Sequence, residues 1–314
     1  MTLNPCLKFT FKSLTLLVIV SAFIEISYRV ITAYYAKSAF AAALLDKHQY
    51  ANSISTPKII LVGGSNLAFG INSELLSKKT KLPVVNMALL APLGIHFILS
   101  DAANYIRKGD IVIMSFEYDI FVKGDIESQL SVVDFVPENK HFVTDKPALV
   151  DRFQARLLHR LRAPLNLENI VQNPTVEDPY SIYFRGAFSR QGDIVSQLNN
   201  VTRKVQTGNN NIQSFPYEEQ VASMNVFTDR FTEKGAKVYF LYSTVAESFY
   251  RNSSAAFEQL GSQYKKQLKA QTLCEPQHSV YADSLCFDTV YHVNGIARDM
   301  HTEKVANALL SLGN

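Results

Sequence analysis

Short, unbroken apolar runs alternate with stretches in which apolar positions recur every three or four residues. Ile59–Val62 is the first such run, entered from Lys58 and closed by Gly63-Gly64-Ser65-Asn66. Leu82–Ala88, Asp110–Phe116, Ala236–Tyr242 and a shorter Ser279–Tyr281 follow it. Continuous apolar runs of this length suit strands buried on both faces of a parallel sheet. Between them, helix spacing is carried first by the stretch after the Asn72 cap, with Leu75 and Leu76 inward. Ile95, Leu99, Ala102, Ala103 and Ile106 mark the next helix, closed by Gly109. Val221, Met224, Phe227 and Phe231 mark another that ends at Gly235, and Phe257, Leu260, Tyr264 and Leu268 one more. A last helix is expected from about Thr302, with Val305, Leu309 and Leu312 inward. Strands alternating with helices in this manner predict an α/β fold built on a parallel sheet.

The alternation breaks between Phe121 and Phe215, a stretch too long for a connecting loop in a compact domain. It reads as a mostly helical insertion. Its clearest helix is Pro147–Leu161, with Val150, Phe153, Leu157 and Leu161 inward and Arg152, Arg156 and Arg160 on the other face. That basic face suits either solvent or an anionic lipid or polysaccharide surface.

A different pattern occupies the N-terminus. Lys8 and Lys12 precede an apolar stretch from about Ser13 to Ile31, interrupted by Glu25 and Arg29 at i and i+4. About 20 apolar residues are needed to cross a bilayer, and a mid-membrane charge is costly, so Glu25 and Arg29 are expected at the outer boundary with Tyr28, Tyr34 and Tyr35. The small-residue Val20-Ser21-Ala22 allows a cleaved signal peptide instead, while the apolar residues beyond it favour a retained anchor. Residues 1–36 are therefore expected to be an anchor, 37–57 a linker and 58–314 the α/β domain with its insertion at about 121–215.

Composition adds little constraint. The chain is 47% hydrophobic and 19% charged, and its net charge of +3 is dispersed, which gives no nucleic-acid footprint. Cys274 and Cys286 flank a short loop; in an oxidising compartment they form a disulfide, and otherwise they are two buried thiols. The histidines show no metal-ligand spacing with cysteines or carboxylates, and no phosphate loop or dinucleotide fingerprint is present, so neither a metal nor a cofactor is expected.

Candidate chemistry lies at two distant points. Ser65 follows the first strand, where open α/β sheets keep their sites at the carboxyl edge. Asp288 and His292 share one loop ahead of the last helix. Serine is a weak nucleophile until an imidazole takes its proton, and a carboxylate on the far ring nitrogen fixes the imidazole tautomer.

Gly63-Gly64-Ser65-Asn66 after a strand, with Asp288 and His292 before the C-terminal helix, resembles the SGNH (GDSL-like) hydrolase superfamily. In particular it resembles bacterial membrane-anchored members linked to acyl modification of envelope polysaccharides, including the D-alanine transfer proteins of teichoic acid. The resemblance spans roughly Lys58–Ser115 and Lys237–Leu312. It implies a three-layer, flavodoxin-like α/β/α fold, with Ser65 as nucleophile, His292 as base and Asp288 as its orienter. Oxyanion donors are expected from Asn86, the Ala91 N–H and the Tyr118 hydroxyl.

Three departures stand out. Gly64 replaces the usual Asp, Asp288 and His292 are one residue further apart than usual, and Phe116-Glu117-Tyr118-Asp119 lacks the usual Asn. The implied activity is an O-acyltransferase or O-acyl esterase on an acylated envelope glycan, at the inner membrane with its domain in the periplasm. The implied partner is an integral-membrane O-acyltransferase. A small-ester carboxylesterase and a non-catalytic glycan-binding or assembly module are the alternatives.

Overall fold

The computed structural model describes residues 4–143, 157–158, 160–165, 167, 182–199, 212, 214–215 and 217–312. The chain divides into two compact units, one from residues 1–39 and 145–181, the other from 40–144 and 182–314.

The first unit is dominated by α1, Pro5–Tyr35, 31 residues capped by Asn4 with Pro5 at its start. At 1.5 Å per residue it reaches ~46 Å, beyond the ~30 Å of a hydrocarbon core. Only Ser27 and Ile31 are buried in it, and its leucines, valines and phenylalanines face outward. The helix is long and apolar enough to cross a membrane. Glu25 and Arg29 do pair, at 2.9 Å, and Glu25 also receives Arg160 at 3.0 Å. The Arg160 guanidinium lies over the Tyr28 ring, 5.2 Å from its centroid, so this arginine is not simply solvated. Most of the expected Pro147–Leu161 helix lies outside the described residues. Of its inward positions, Leu157 and Leu161 are described, and both are 41% exposed.

The second unit carries a five-stranded parallel sheet. Its strands are β1 (Ile59–Gly63), β2 (Val84–Asn86), β3 (Ile111–Ser115), β4 (Lys237–Phe240) and β6 (Gln271–Thr272), in the order β2-β1-β3-β4-β6. The short β5 (Val245–Ala246) and β7 (Val280–Tyr281) pair only with each other. The expected short strand at Ser279–Tyr281 is present as Val280–Tyr281, but it does not join the main sheet. Gln271–Thr272 does, and its polar dipeptide offers no apolar run to reveal it.

Successive residues of β1 and β3 point to opposite faces, as the period of two requires. Ile60, Val62, Val112 and Met114 enter one apolar cluster with α5 (Ile95–Ala102) and the helices Tyr217–Glu233 and Ser254–Gln267. Ile59, Leu61 and Ile113 enter a second with α3 (Ser65–Gly70), α4 (Ser73–Thr80) and the C-terminal helix. Helices therefore cover both faces. The C-terminal helix begins at Gly295, before the expected Thr302, and its Leu312 is exposed rather than inward. At the opposite edge of the sheet from Ser65, Lys58 and Asp110 form a fully buried ion pair at 3.0 Å.

The expected linker is largely structured. After a turn at Phe40–Ala42, helix α2 (Ala43–Ser53) buries Ala43, Leu44 and Ala51. Its buried Lys47 ammonium donates to the carbonyls of Asn86, Ala88 and Gly192 at 2.9, 2.8 and 2.5 Å. Burial pulls the Lys47 pKa down to about 7, against the charge of Asp193.

Cys274 and Cys286 are both free thiols, which corrects the disulfide expectation. They face different interiors: Cys286 packs in the first apolar cluster, with Sγ against the Ala282 carbonyl, whereas Cys274 packs on the second. Burial pushes the Cys286 thiol up to about 12.

Candidate active site

Ser65 opens α3 directly after β1, at the carboxyl edge of the sheet. The turn is tight because β1 and β3 run side by side, with Gly63 opposite Ser115. A Cβ at Gly63 would stand 1.8 Å from the Ser115 carbonyl oxygen, so only glycine fits there.

Asp288 and His292 arrive on a loop pinned at its base. Cys286 and Val293 form an antiparallel bridge, and the Phe287 N–H donates to the His292 carbonyl at 2.7 Å. Inside the loop, Thr289 Oγ1 accepts the N–H groups of both Tyr291 and His292 at 3.2 Å. That side chain turns the backbone so that residues four apart face one another. His292 Nδ1 lies 2.7 Å from Asp288 Oδ1, and His292 Nε2 lies 2.8 Å from Ser65 Oγ. The extra residue between Asp288 and His292 is absorbed by this threonine-held turn.

The imidazole is buried and stacks flat on Phe69 of α3, with centroids 4.0 Å apart and planes 8° apart. On the outer side, the Tyr183 hydroxyl donates to Asp288 Oδ2 at 2.5 Å and stands 3.4 Å from His292 Nδ1. Tyr183 comes from residues 182–199, the described tail of the insertion. Isoleucines Ile182 and Ile194 bury that tail in the second apolar cluster.

The segment after β3 departs from expectation. Tyr118 turns into the core: its hydroxyl donates to the Ser243 carbonyl at 2.9 Å, and its ring packs edge-on against Phe257. Burial raises the phenol well above its usual range. It is no oxyanion donor, because a large aromatic ring is accommodated only by the apolar cluster beneath the loop.

Asn86 is also committed elsewhere. Its amide donates to the Leu67 carbonyl and to Asp193 Oδ1 at 3.1 and 2.8 Å, and its oxygen takes the Ala88 N–H. That network ties residues 182–199 to the sheet; Ser73 donates to Asp193 as well. Ala91 begins a single 3-10 turn capped by Gly94, whose N–H donates to the Ala91 carbonyl at 2.9 Å, and among the described residues Ala91 makes no hydrogen bond to Ser65, His292 or Asp288.

What stands beside Ser65 instead is Glu117. Ser65 Oγ lies 3.0 Å from Glu117 Oε1, which also accepts the Asn66 N–H at 2.8 Å. The carboxyl group is buried, Oε2 has no hydrogen-bond partner among the described residues, and burial raises its pKa. Gly64 leaves room for it: a Cβ there would fall 2.0 Å from Glu117 Oε2. The same loop ends at Asp119, whose carboxylate receives the Tyr291 hydroxyl at 2.9 Å.

Glu117 and Tyr183 were not among the residues selected from the sequence. For Glu117 a signal existed. With Gly63 paired to Ser115, residue 117 stands two places beyond β3 just as Ser65 stands two places beyond β1. For Tyr183 no local pattern pointed to the site.

Among the described residues, no three His, Cys, Asp or Glu side chains come together as metal ligands. The arrangement can hold a proton on His292 Nδ1 against Asp288 and leave Nε2 free to take the Ser65 proton. No family model matches this chain, and no curated protein is significantly similar to it.

Proposed function

We propose that the chain is a membrane-anchored serine O-acyltransferase or O-acyl esterase of the SGNH type, acting on an acylated cell-envelope glycan. The observation that supports this most is the continuous Asp288–His292–Ser65 contact at the carboxyl edge of a parallel sheet, at 2.7 and 2.8 Å. Such a geometry activates a serine that is otherwise a weak nucleophile.

In the proposed reaction, Ser65 Oγ attacks the acyl carbonyl as its proton passes to His292 Nε2. The sugar oxygen leaves with that proton, and the acyl group stays on Ser65 as an ester. Water or a second sugar hydroxyl then attacks the ester, its proton passing through His292 back to Ser65. Asp288 stabilises the imidazolium at each stage. Ser65 is the first residue of its helix, so its own N–H lacks an intrahelical acceptor and is available to a developing oxyanion.

The apolar N-terminal helix supports a membrane location, and the lysines ahead of it support an inner-membrane protein with its α/β domain in the periplasm. An integral-membrane O-acyltransferase would supply the acyl donor.

The test is intact-protein mass after treating the detergent-solubilised full chain with a serine-directed fluorophosphonate. A single adduct is expected in the wild type, none in Ser65→Ala, and labelling at least tenfold slower in His292→Ala. Equal labelling of wild type and Ser65→Ala would defeat the proposal.

A further inference from the structure

Ser65 has one hydroxyl proton and two neighbours able to accept it, His292 Nε2 at 2.8 Å and Glu117 Oε1 at 3.0 Å. If Ser65 donates to Glu117, then His292 must donate to Ser65, which requires an imidazolium facing an ionised Glu117. If Ser65 donates to His292, the short contact with Glu117 requires a proton on the carboxyl. Both arrangements hold the same number of protons and differ only in direction.

Several observations choose between them. Glu117 is 4% exposed, and Oε2 is buried with no hydrogen-bond partner among the described residues. Among the described residues it forms no ion pair with Lys or Arg. The titratable groups facing it are His292 across Ser65 and Tyr291, whose hydroxyl is committed to Asp119. A buried carboxylate with one unsatisfied oxygen and no cation is strongly disfavoured against its neutral form.

We propose that Glu117 is a positioning residue, a neutral acid that donates to Ser65 Oγ and so turns the only serine proton toward His292. The hydrogen bonds then run in one direction, Glu117 to Ser65 to His292 to Asp288. When Glu117 ionises, it becomes a rival acceptor and draws the serine proton away from the imidazole. The role of this bond in catalysis rests on the acyl-enzyme reading above, but the protonation state does not. Gly64 belongs to the same device, since any side chain there would occupy the place of the carboxyl group.

Two measurements test this on the full-length protein in detergent. Infrared difference spectra of wild type minus Glu117→Gln at neutral pH are expected to show one protonated carboxylic C=O band that disappears as the pH is raised. The absence of that band overturns the proposal whether or not Ser65 reacts. The second measurement is the pH profile of fluorophosphonate labelling. Wild-type labelling is expected to fall at least fivefold along the alkaline limb on which the infrared band is lost, and Glu117→Gln is expected to lack that limb. Its amide oxygen is held toward the Asn66 N–H, so it labels more slowly at neutral pH. Identical alkaline limbs in the two proteins overturn the positioning role. If the wild type does not label at any pH, the acyl-enzyme reading fails, and the infrared band alone decides whether Glu117 is a neutral acid.

Discussion

The His292 imidazole lies on the Phe69 ring at 4.0 Å, almost parallel to it, and Phe69 is fully buried. One residue of α3 thus sets the plane of the imidazole while Ser65, four positions earlier on the same helix, presents its hydroxyl to it. Truncating Phe69 to Ala is expected to destabilise the fold by ~3–5 kcal/mol through lost burial and the cavity left behind. Phe69→Leu retains most of that burial and removes the stack, worth ~0.5–1.5 kcal/mol, or roughly two- to tenfold in rate. Urea unfolding and Ser65 labelling separate the two effects; equal labelling by wild type and Phe69→Leu would show that stacking does not orient the base.

Asp288 is expected to fix the His292 tautomer. Asp288→Asn places an amide against Nδ1 and favours a proton on Nε2, which then no longer accepts from Ser65. A fall of order 10⁴ in labelling rate is expected, without loss of fold. Tyr183→Phe removes the hydrogen bond to Asp288 Oδ2 and is expected to slow labelling only about three- to tenfold. A larger effect from Tyr183→Phe than from Asp288→Asn would reverse this order of roles.

Gly64 and Glu117 are expected to be energetically coupled. A Cβ at position 64 would meet both carboxyl oxygens of Glu117, at 2.0 and 2.6 Å. Gly64→Ala alone is expected to cost ~1–3 kcal/mol by overpacking. Combined with Glu117→Ala, which vacates the space, most of that cost should vanish. A double-mutant cycle by urea denaturation measures the coupling, and simple additivity would contradict it.

Glu117 also has a signature in stability. Burial raises its pKa in the folded chain above the ordinary 4.5. Between these two values the folded state holds the extra proton, so the stabilisation is complete below the ordinary value and declines as pH rises through the folded one. Relative to Glu117→Gln, the wild type is therefore expected to lose stability as pH rises above the ordinary carboxylate range. A wild-type advantage that grows with pH would give the opposite sign and exclude a raised pKa.

Much of the architecture was legible along the chain because it depends on local periodicity. Ile59–Val62 and Ile111–Met114 announce strands buried on both faces, and the Asn72 cap and the Gly235 stop are set by neighbouring residues, whereas the helix expected to run to Gly109 ends at Ala102. The alternating pattern implied a parallel sheet, which brings Ser65 to the carboxyl edge. The Asp288–His292 loop was recognisable because both side chains lie on one short segment.

Other features required tertiary structure, because they depend on which side chain fills a space that no local pattern defines. Tyr118 and Glu117 are adjacent, and the sequence gives no reason why one enters the core and the other faces Ser65. That choice is made by the Phe215–Phe257 cluster, which accepts a ring, and by the gap over Gly64, which accepts a carboxyl group. Asn86 is drawn from the site by Asp193, more than a hundred residues away in the chain. Cys274 and Cys286 are near in sequence yet face separate apolar clusters. Periodicity determined the scaffold and the place of Ser65 at its carboxyl edge; long-range packing decided which side chains surround that hydroxyl.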